Sequence, residues 1–279
     1  MSKGLFGSVR KVVLDVAELP GVNLLARPIY RHLFARDVLP GNVYGGVFAS
    51  FDEARAKAPS SLSTSFDQAQ SGELYTDRLD NVQIVDYPVL FWLSQLFTIG
   101  CRQVFDLGGN VGISYFGFQR YLDYPDDLRW LVHDVPSVVA AGRDRATRYD
   151  SARKLAFTES REDANGRNVL LCTGVVQFLD YSVPELLQQL RDPPRHVLIN
   201  VTPLHPDRSF VTLQRVTRNR VGLANCPYRV TAVGEFIAEF KSAGYDVVDR
   251  WESMERYMRI PFEPDYSIDR YYGFYFRRA

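Results

Sequence analysis

The run Val104-Phe105-Asp106-Leu107-Gly108-Gly109-Asn110-Val111-Gly112 constrains this chain more than any other stretch. It reads as a buried strand, then an acid, then a glycine-rich turn that opens a helix. Such a turn presents backbone N–H groups and a bare backbone at the carboxyl edge of a Rossmann-like sheet, where nucleotide-derived ligands sit. Gly108, Gly109 and Gly112 permit positive φ and close approach of a ligand. The alternative is an ordinary strand-to-helix turn with no ligand.

The spacing is D-x-G-G-N-x-G, not the G-x-G-x-x-G of dinucleotide sites. Asp106 stands two residues before the first glycine. A carboxylate there suits the cationic methionine end of S-adenosylmethionine (SAM) and would repel a pyrophosphate. The expected cofactor is therefore SAM, with Asp106, Gly108, Gly109, Asn110 and Gly112 around its methionine end.

Strands and helices alternate from here on, the pattern of a parallel sheet with crossover helices. Strands are expected at Gln103–Leu107, Leu128–His133, Lys154–Thr158, Val169–Cys172, His196–Asn200, Tyr245–Arg250 and Tyr272–Arg277. Helices are expected at Tyr87–Ile99, Gly112–Leu122, Pro136–Arg148, Val183–Leu190 and Val233–Ala243, with a long polar insertion at Thr202–Arg229. Seven strands ending on Gly-Phe-Tyr-Phe fit an α/β, Rossmann-like SAM-methyltransferase fold: a mostly parallel sheet whose seventh strand is antiparallel. The expected division is an N-terminal helical or cap segment, 1–85, and a SAM-binding domain, 86–279. In the cap, Ser50 with Glu53 reads as a capping box.

Asp134 ends the second strand, 22 residues past Gly112, where a carboxylate meets the ribose hydroxyls of an adenosine. It reads equally as a helix cap ahead of Pro136. Thr158, Glu159 and Ser160 close the third strand, on the adenine side. Gln177, in the loop after the fourth strand, orients a ligand or bonds to backbone. Asp180 reads as a cap for the helix that begins near Pro184. A hydroxyl acceptor must lose a proton, and His205 is the expected base, with Asp207 second. A solvent-facing loop histidine is the alternative. Arg208, Arg215, Arg218 and Arg220 form a dense set that suits an anionic acceptor or a solvated face.

Lys and Arg number 33 against 33 Asp and Glu, which argues against a nucleic-acid partner, since that needs a basic footprint. Three cysteines and four scattered histidines suggest neither a disulfide framework nor a metal site, and fit a reducing, cytoplasmic compartment. No stretch reaches the roughly 18 to 20 apolar residues of a membrane span. Residues 1–40 carry six basic against three acidic side chains, a net of +3, on alternating apolar and basic positions. They suit a helix lying peripherally on an anionic inner-membrane surface, or one packed on its own domain or on a second copy in a homodimer.

Phe105–Ser114, His133-Asp134-Val135-Pro136, Thr173–Gln177 and Pro203–Pro206 together resemble a family of bacterial SAM-dependent methyltransferases associated with surface-polysaccharide biosynthesis. Gly45–Phe48, Ser50–Ala54 and Tyr228 are similar too, so the resemblance runs from about Tyr44 to Arg277. It implies methyl transfer from SAM to a small-molecule or glycan acceptor. A wider similarity is to small-molecule O-methyltransferases, which often carry a catalytic histidine in the loop after the fourth strand. Gln177 stands at that position here and takes no proton at neutral pH. A non-catalytic SAM-fold binding or scaffold protein is the alternative.

Overall fold

The computed structural model describes residues 11–39, 41–68, 70–218 and 221–279. Seven strands form the main sheet: β2 (Gln103–Leu107), β3 (Arg129–His133), β4 (Leu155–Thr158), β5 (Val169–Thr173), β6 (His196–Thr202), β10 (Tyr245–Ser253) and β11 (Tyr271–Arg278). Their order is β10-β11-β6-β5-β2-β3-β4, and β11 runs antiparallel to both its neighbours. The other pairings are parallel. Every strand read from the sequence is present with its ends within three residues, and the seventh has the expected direction.

Period-two alternation sends successive side chains to opposite faces. Val104, Leu171 and Leu198 meet helix α3 (Tyr87–Thr98), α4 (Ile113–Phe118) and α5 (Pro136–Tyr149) on one face. Phe105, Leu170 and Ile199 meet α6 (Val183–Gln189) and α7 (Val233–Ser242) on the other. The central strands β2, β5 and β6 are buried on both faces and so read as near-continuous apolar runs. Ser182 starts α6 by taking the Glu185 N–H at 3.2 Å, while Glu185 takes the Ser182 N–H at 2.6 Å. Asp180, expected as that cap, instead pairs with Arg55 at 3.0 Å.

The expected polar insertion is a second sheet. β7 (Leu204–His205), β8 (Phe210–Arg218) and β9 (Val221–Ala232) join β1 (Val43–Phe48) in the order β1-β8-β9-β7. Its polar residues concealed it, because they are buried and bonded far along the chain. Thr212 Oγ1 donates to the Gly46 carbonyl at 2.7 Å, and Gln214 Nε2 donates to the Tyr44 hydroxyl at 2.8 Å. Segment 1–85, expected to be helical, thus supplies a strand as well as α1 (Asn23–Ala35) and α2 (Phe51–Lys57). Ser50 does cap α2, accepting the Glu53 N–H at 3.1 Å. The first ten residues of the expected amphipathic helix, and Arg220, lie outside the described residues. No described helix is long and apolar enough to cross a membrane.

Candidate functional site

β2 and β5 end at one edge of the sheet, and the second sheet rises over that edge because it follows β6 directly. Between them lies a cavity of about 980 Å³. One wall is the glycine turn: Gly108, Gly109 and Asn110, with Thr173, Gly174 and Gln177 from the end of β5. The turn is set by φ values of +68° at Gly108, +54° at Asn110 and +87° at Gly112. The glycines are also needed for packing. A Cβ on Gly108 would stand 2.2 Å from Val175 Cγ2, and one on Gly109 would stand 2.5 Å from Asp106 Oδ2. Gly112 does not line the cavity; it starts α4.

Asp106 lies directly beneath Gly109 and is completely buried. Its Oδ2 accepts the Trp130 indole N–H at 3.1 Å, while Oδ1 has no partner. Burial pushes its carboxyl up to about 7, against the Trp130 hydrogen bond and with the charge of Asp134. Asp106 does not itself line the cavity, but two buried oxygens of residues that do lack partners: Thr173 Oγ1 and Gln177 Oε1. Gln177 spends its Nε2–H on the Gly174 carbonyl at 2.9 Å. With the Asp106 carboxyl behind the turn, the Gln177 carbonyl and the Thr173 hydroxyl make this side of the cavity rich in oxygen acceptors. That set fits the ammonium and sulfonium of SAM, and a buried acceptor left unmet costs about 1–3 kcal/mol.

Asp134 stands outside the cavity lining. Its two oxygens accept the N–H groups of Asn110 at 2.9 Å and Val135 at 2.8 Å, so it ties the glycine turn to α5. Burial raises its carboxyl to about 6. Segments 67–68 and 70–73 cover this side: Ser137 N–H bonds to Asp67 at 3.0 Å, and Asn110 Nδ2 donates to the Ser71 carbonyl at 3.2 Å.

The opposite wall comes from both sheets. Tyr228 and Tyr271 share a hydrogen bond at 2.8 Å, and the Tyr44 ring stands 5.3 Å from that of Tyr228. Burial raises all three phenols, so they are neutral at physiological pH. β6 adds Val201, held at φ +56° in a bulge opposite β11. A β-branched residue in that region is strained by roughly 1–3 kcal/mol. Asn200 beside it donates to Asp86 at 3.1 Å and accepts the Trp251 indole N–H at 3.0 Å. Asp86, 1% exposed, also takes both Arg78 contacts, at 2.9 and 3.0 Å.

The structure does not bring His205 or Asp207 to this cavity. His205 Nε2–H donates to the Asp265 carbonyl at 3.0 Å, and Nδ1 accepts the N–H groups of Asp207 and Arg208 at 3.3 and 3.2 Å. The ring braces its loop. Arg208 packs over the Tyr266 ring, and Arg215 bonds the Leu39 carbonyl. The arginines lining the cavity are Arg78, Arg256 and Arg259, in connecting segments where the sequence shows no motif, and Arg259 is paired with Asp15 and Glu18. Among the described residues, no His, Cys, Asp and Glu group is placed to hold a metal.

No protein-family model matches the chain, and no curated protein matches its sequence. Solved structures do. The CcbJ methyltransferase of Streptomyces caelestis matches at 13% identity over 78% of this chain and 98% of its own, with a TM-score of 0.50. The magnesium protoporphyrin IX methyltransferase of Synechocystis PCC 6803 gives 12% identity, 75% and 94% coverage and 0.43. A Burkholderia thailandensis 1,6-didemethyltoxoflavin N1-methyltransferase gives 15%, 70% and 79%, and 0.43. At these identities the likeness speaks for the fold: with its strand order and antiparallel β11, the chain has the Rossmann-like, class I SAM-methyltransferase fold.

Proposed function

We propose that this protein is a SAM-dependent methyltransferase acting on a small-molecule or glycan acceptor. The observation that carries the reading is the unpartnered trio Asp106 Oδ1, Thr173 Oγ1 and Gln177 Oε1 beside the glycine turn. Bound there, SAM would supply an electrophilic methyl group on a cationic sulfur. Asp106, Gly108, Gly109 and Asn110 would hold its methionine end, and Asp134 its ribose once segments 67–68 and 70–73 move aside. Gln177 would orient the methionine end or the acceptor. The tyrosine wall would position the acceptor, so that catalysis is mainly proximity and orientation.

The cavity contains no histidine among its described lining residues, and its buried phenols are protonated at neutral pH. It therefore suits an acceptor that needs no strong internal base. O-methylation in surface-polysaccharide assembly rests on the family resemblance. Val12, Val13, Val16, Leu24, Leu25 and Ile29 are all more than half exposed. That exposure supports a docking role for the N-terminal segment, at an anionic bilayer or a second copy. Vesicle co-sedimentation and light scattering separate the two.

A second reading, a binding protein of this fold without transferase activity, is favoured by the segment covering Asp134. Mass spectrometry of hydroxyl, amine and carboxylate acceptors incubated with methyl-labelled SAM tests the pair. A labelled product supports transfer. Tight SAM binding with no product from any class favours the binding protein.

A further inference from the structure

The cavity holds two sets of buried polar atoms that lack partners, and they have opposite character. The acceptors sit by the glycine turn. The donors are the Nε–H groups of Arg78 and Arg256, the cavity-lining arginines with a buried, unpartnered Nε. Both guanidinium groups hang from one short stretch of chain. Arg78 Nη2 bonds both oxygens of Asp86, and Arg256 bonds Gln83 Oε1. The Gln83 N–H in turn donates to Asp86 at 3.1 Å, which fixes the two anchors relative to each other. Each arginine spends one terminal nitrogen on the protein.

We infer that the acceptor carries a carboxylate or phosphate group and that Arg78 and Arg256 receive it. The planar guanidinium fork matches the oxygens of either group, and two such forks on one turn define an anion site. Charge agrees. Asp86 offsets one of the two arginines and leaves the other uncompensated. The remaining lining charges are paired or exposed: Glu18 with Arg259 at 2.6 Å, Asp269 with Arg270 at 2.9 Å, and Glu255 and Lys11 exposed. Tyr75, held at φ +60°, borders the same space, and both guanidinium charges oppose the burial that raises its phenol. A neutral acceptor could bond the Nε–H groups but would leave the second guanidinium charge without a counter-charge.

The inference rests on the methyltransferase reading only in calling the ligand an acceptor, because anion binding is measured without SAM. The probes are glucuronate for a carboxylate, glucose 1-phosphate for a phosphate and methyl glucoside as the neutral control. Each is titrated calorimetrically into the full chain. At least one anion is expected to bind tenfold or more tightly than methyl glucoside, and the tighter anion identifies the group. Arg256→Gln, a partly exposed position whose loss leaves the Asp86 network intact, is expected to weaken that anion about tenfold. Arg256→Lys is expected to recover part of the loss. SAH titrated into the same variant should bind as in wild type. Failure of SAH binding with anion binding intact overturns methyl transfer and leaves the anion site standing. Equal binding of anion and neutral control, no anion binding by folded protein, or unchanged binding in Arg256→Gln overturns the anion site.

Discussion

The two walls of the cavity are built in opposite ways. The glycine-turn wall comes from a nine-residue run, Val104–Gly112, and the end of β5 beside it. The tyrosine–arginine wall gathers Tyr44, Arg78, Tyr228, Arg256 and Tyr271 from segments more than 200 residues apart. One wall is rigid because its glycines are packed against side chains. The other is held by buried bonds between distant elements. Local sequence can encode a glycine turn, whereas the tyrosine–arginine wall exists only once the second sheet has formed.

Asp86 bonds Arg78 on one wall and Asn200, whose carbonyl accepts the Gly174 N–H of the other at 2.8 Å, so its loss should have the largest effect. Asp86→Ala leaves the Arg78 guanidinium without its counter-charge and frees Asn200, so stability should fall by about 3–5 kcal/mol. Thermal or urea unfolding reads this. Both walls should fail together; loss of only one would break the comparison.

Next is the glycine turn. Gly108→Ala should cost about 3 kcal/mol, combining overpacking against Val175 with an alanine at positive φ. Gly174→Ala has an equal φ, +69°, but its nearest atoms are 3.9 Å away. It should cost about 1–2 kcal/mol, the backbone part alone. Val175→Gly added to Gly108→Ala should restore part of the loss. Equal costs at Gly108 and Gly174 would show that packing does not matter there.

This contrast explains what the sequence disclosed. The central strands were legible because they are apolar and flanked by turn residues, and the charged β10 because Gly244 marks its start. The glycine turn was legible because its strand-to-helix pattern is local, although Gly108 packs on Val175 and Asp106 bonds Trp130. β8 and β9 were hidden because Thr212, Gln214 and Arg215 read as solvent-facing until Asp37, Leu39, Tyr44 and Gly46 arrive to bond them. Arg78 and Arg256 carry no local signal, since their placement depends on Gln83 and Asp86 being folded into one turn. His205 looked like a base because it stands in the loop after the fifth strand, yet its Nδ1 is taken by the neighbouring Asp207 and Arg208 N–H groups and its Nε2 by the distant Asp265 carbonyl.

The buried acid gives a pH-dependent effect of intermediate size. Asp106 titrates at about 7 when folded and near 3.8 otherwise. Between those values the folded chain holds the extra proton, so stability falls as pH rises from about 4 to 7. The penalty is complete above 7 and absent below 4. The slope from this group is at most about 1.4 kcal/mol per pH unit. Unfolding of Asp106→Asn across pH 5–8 should show a flatter profile. SAM affinity should run the other way, rising with pH through 7 as the carboxylate ionises. A variant with an unchanged profile would remove Asp106 from both accounts.

The smallest expected effect is on the other wall. Tyr228→Phe removes one hydroxyl from the Tyr228–Tyr271 bond and should cost about 1 kcal/mol. It should raise KM for the acceptor and leave SAH binding unchanged. Weakened SAH binding would mean the walls are not separate.

The most direct measurement is calorimetric titration of SAM and SAH into the full chain at pH 8, with Asp106→Asn beside it. The account predicts one micromolar site, weakened about tenfold by loss of a charge-assisted contact in the variant. Folded wild-type protein that binds neither ligand would contradict it.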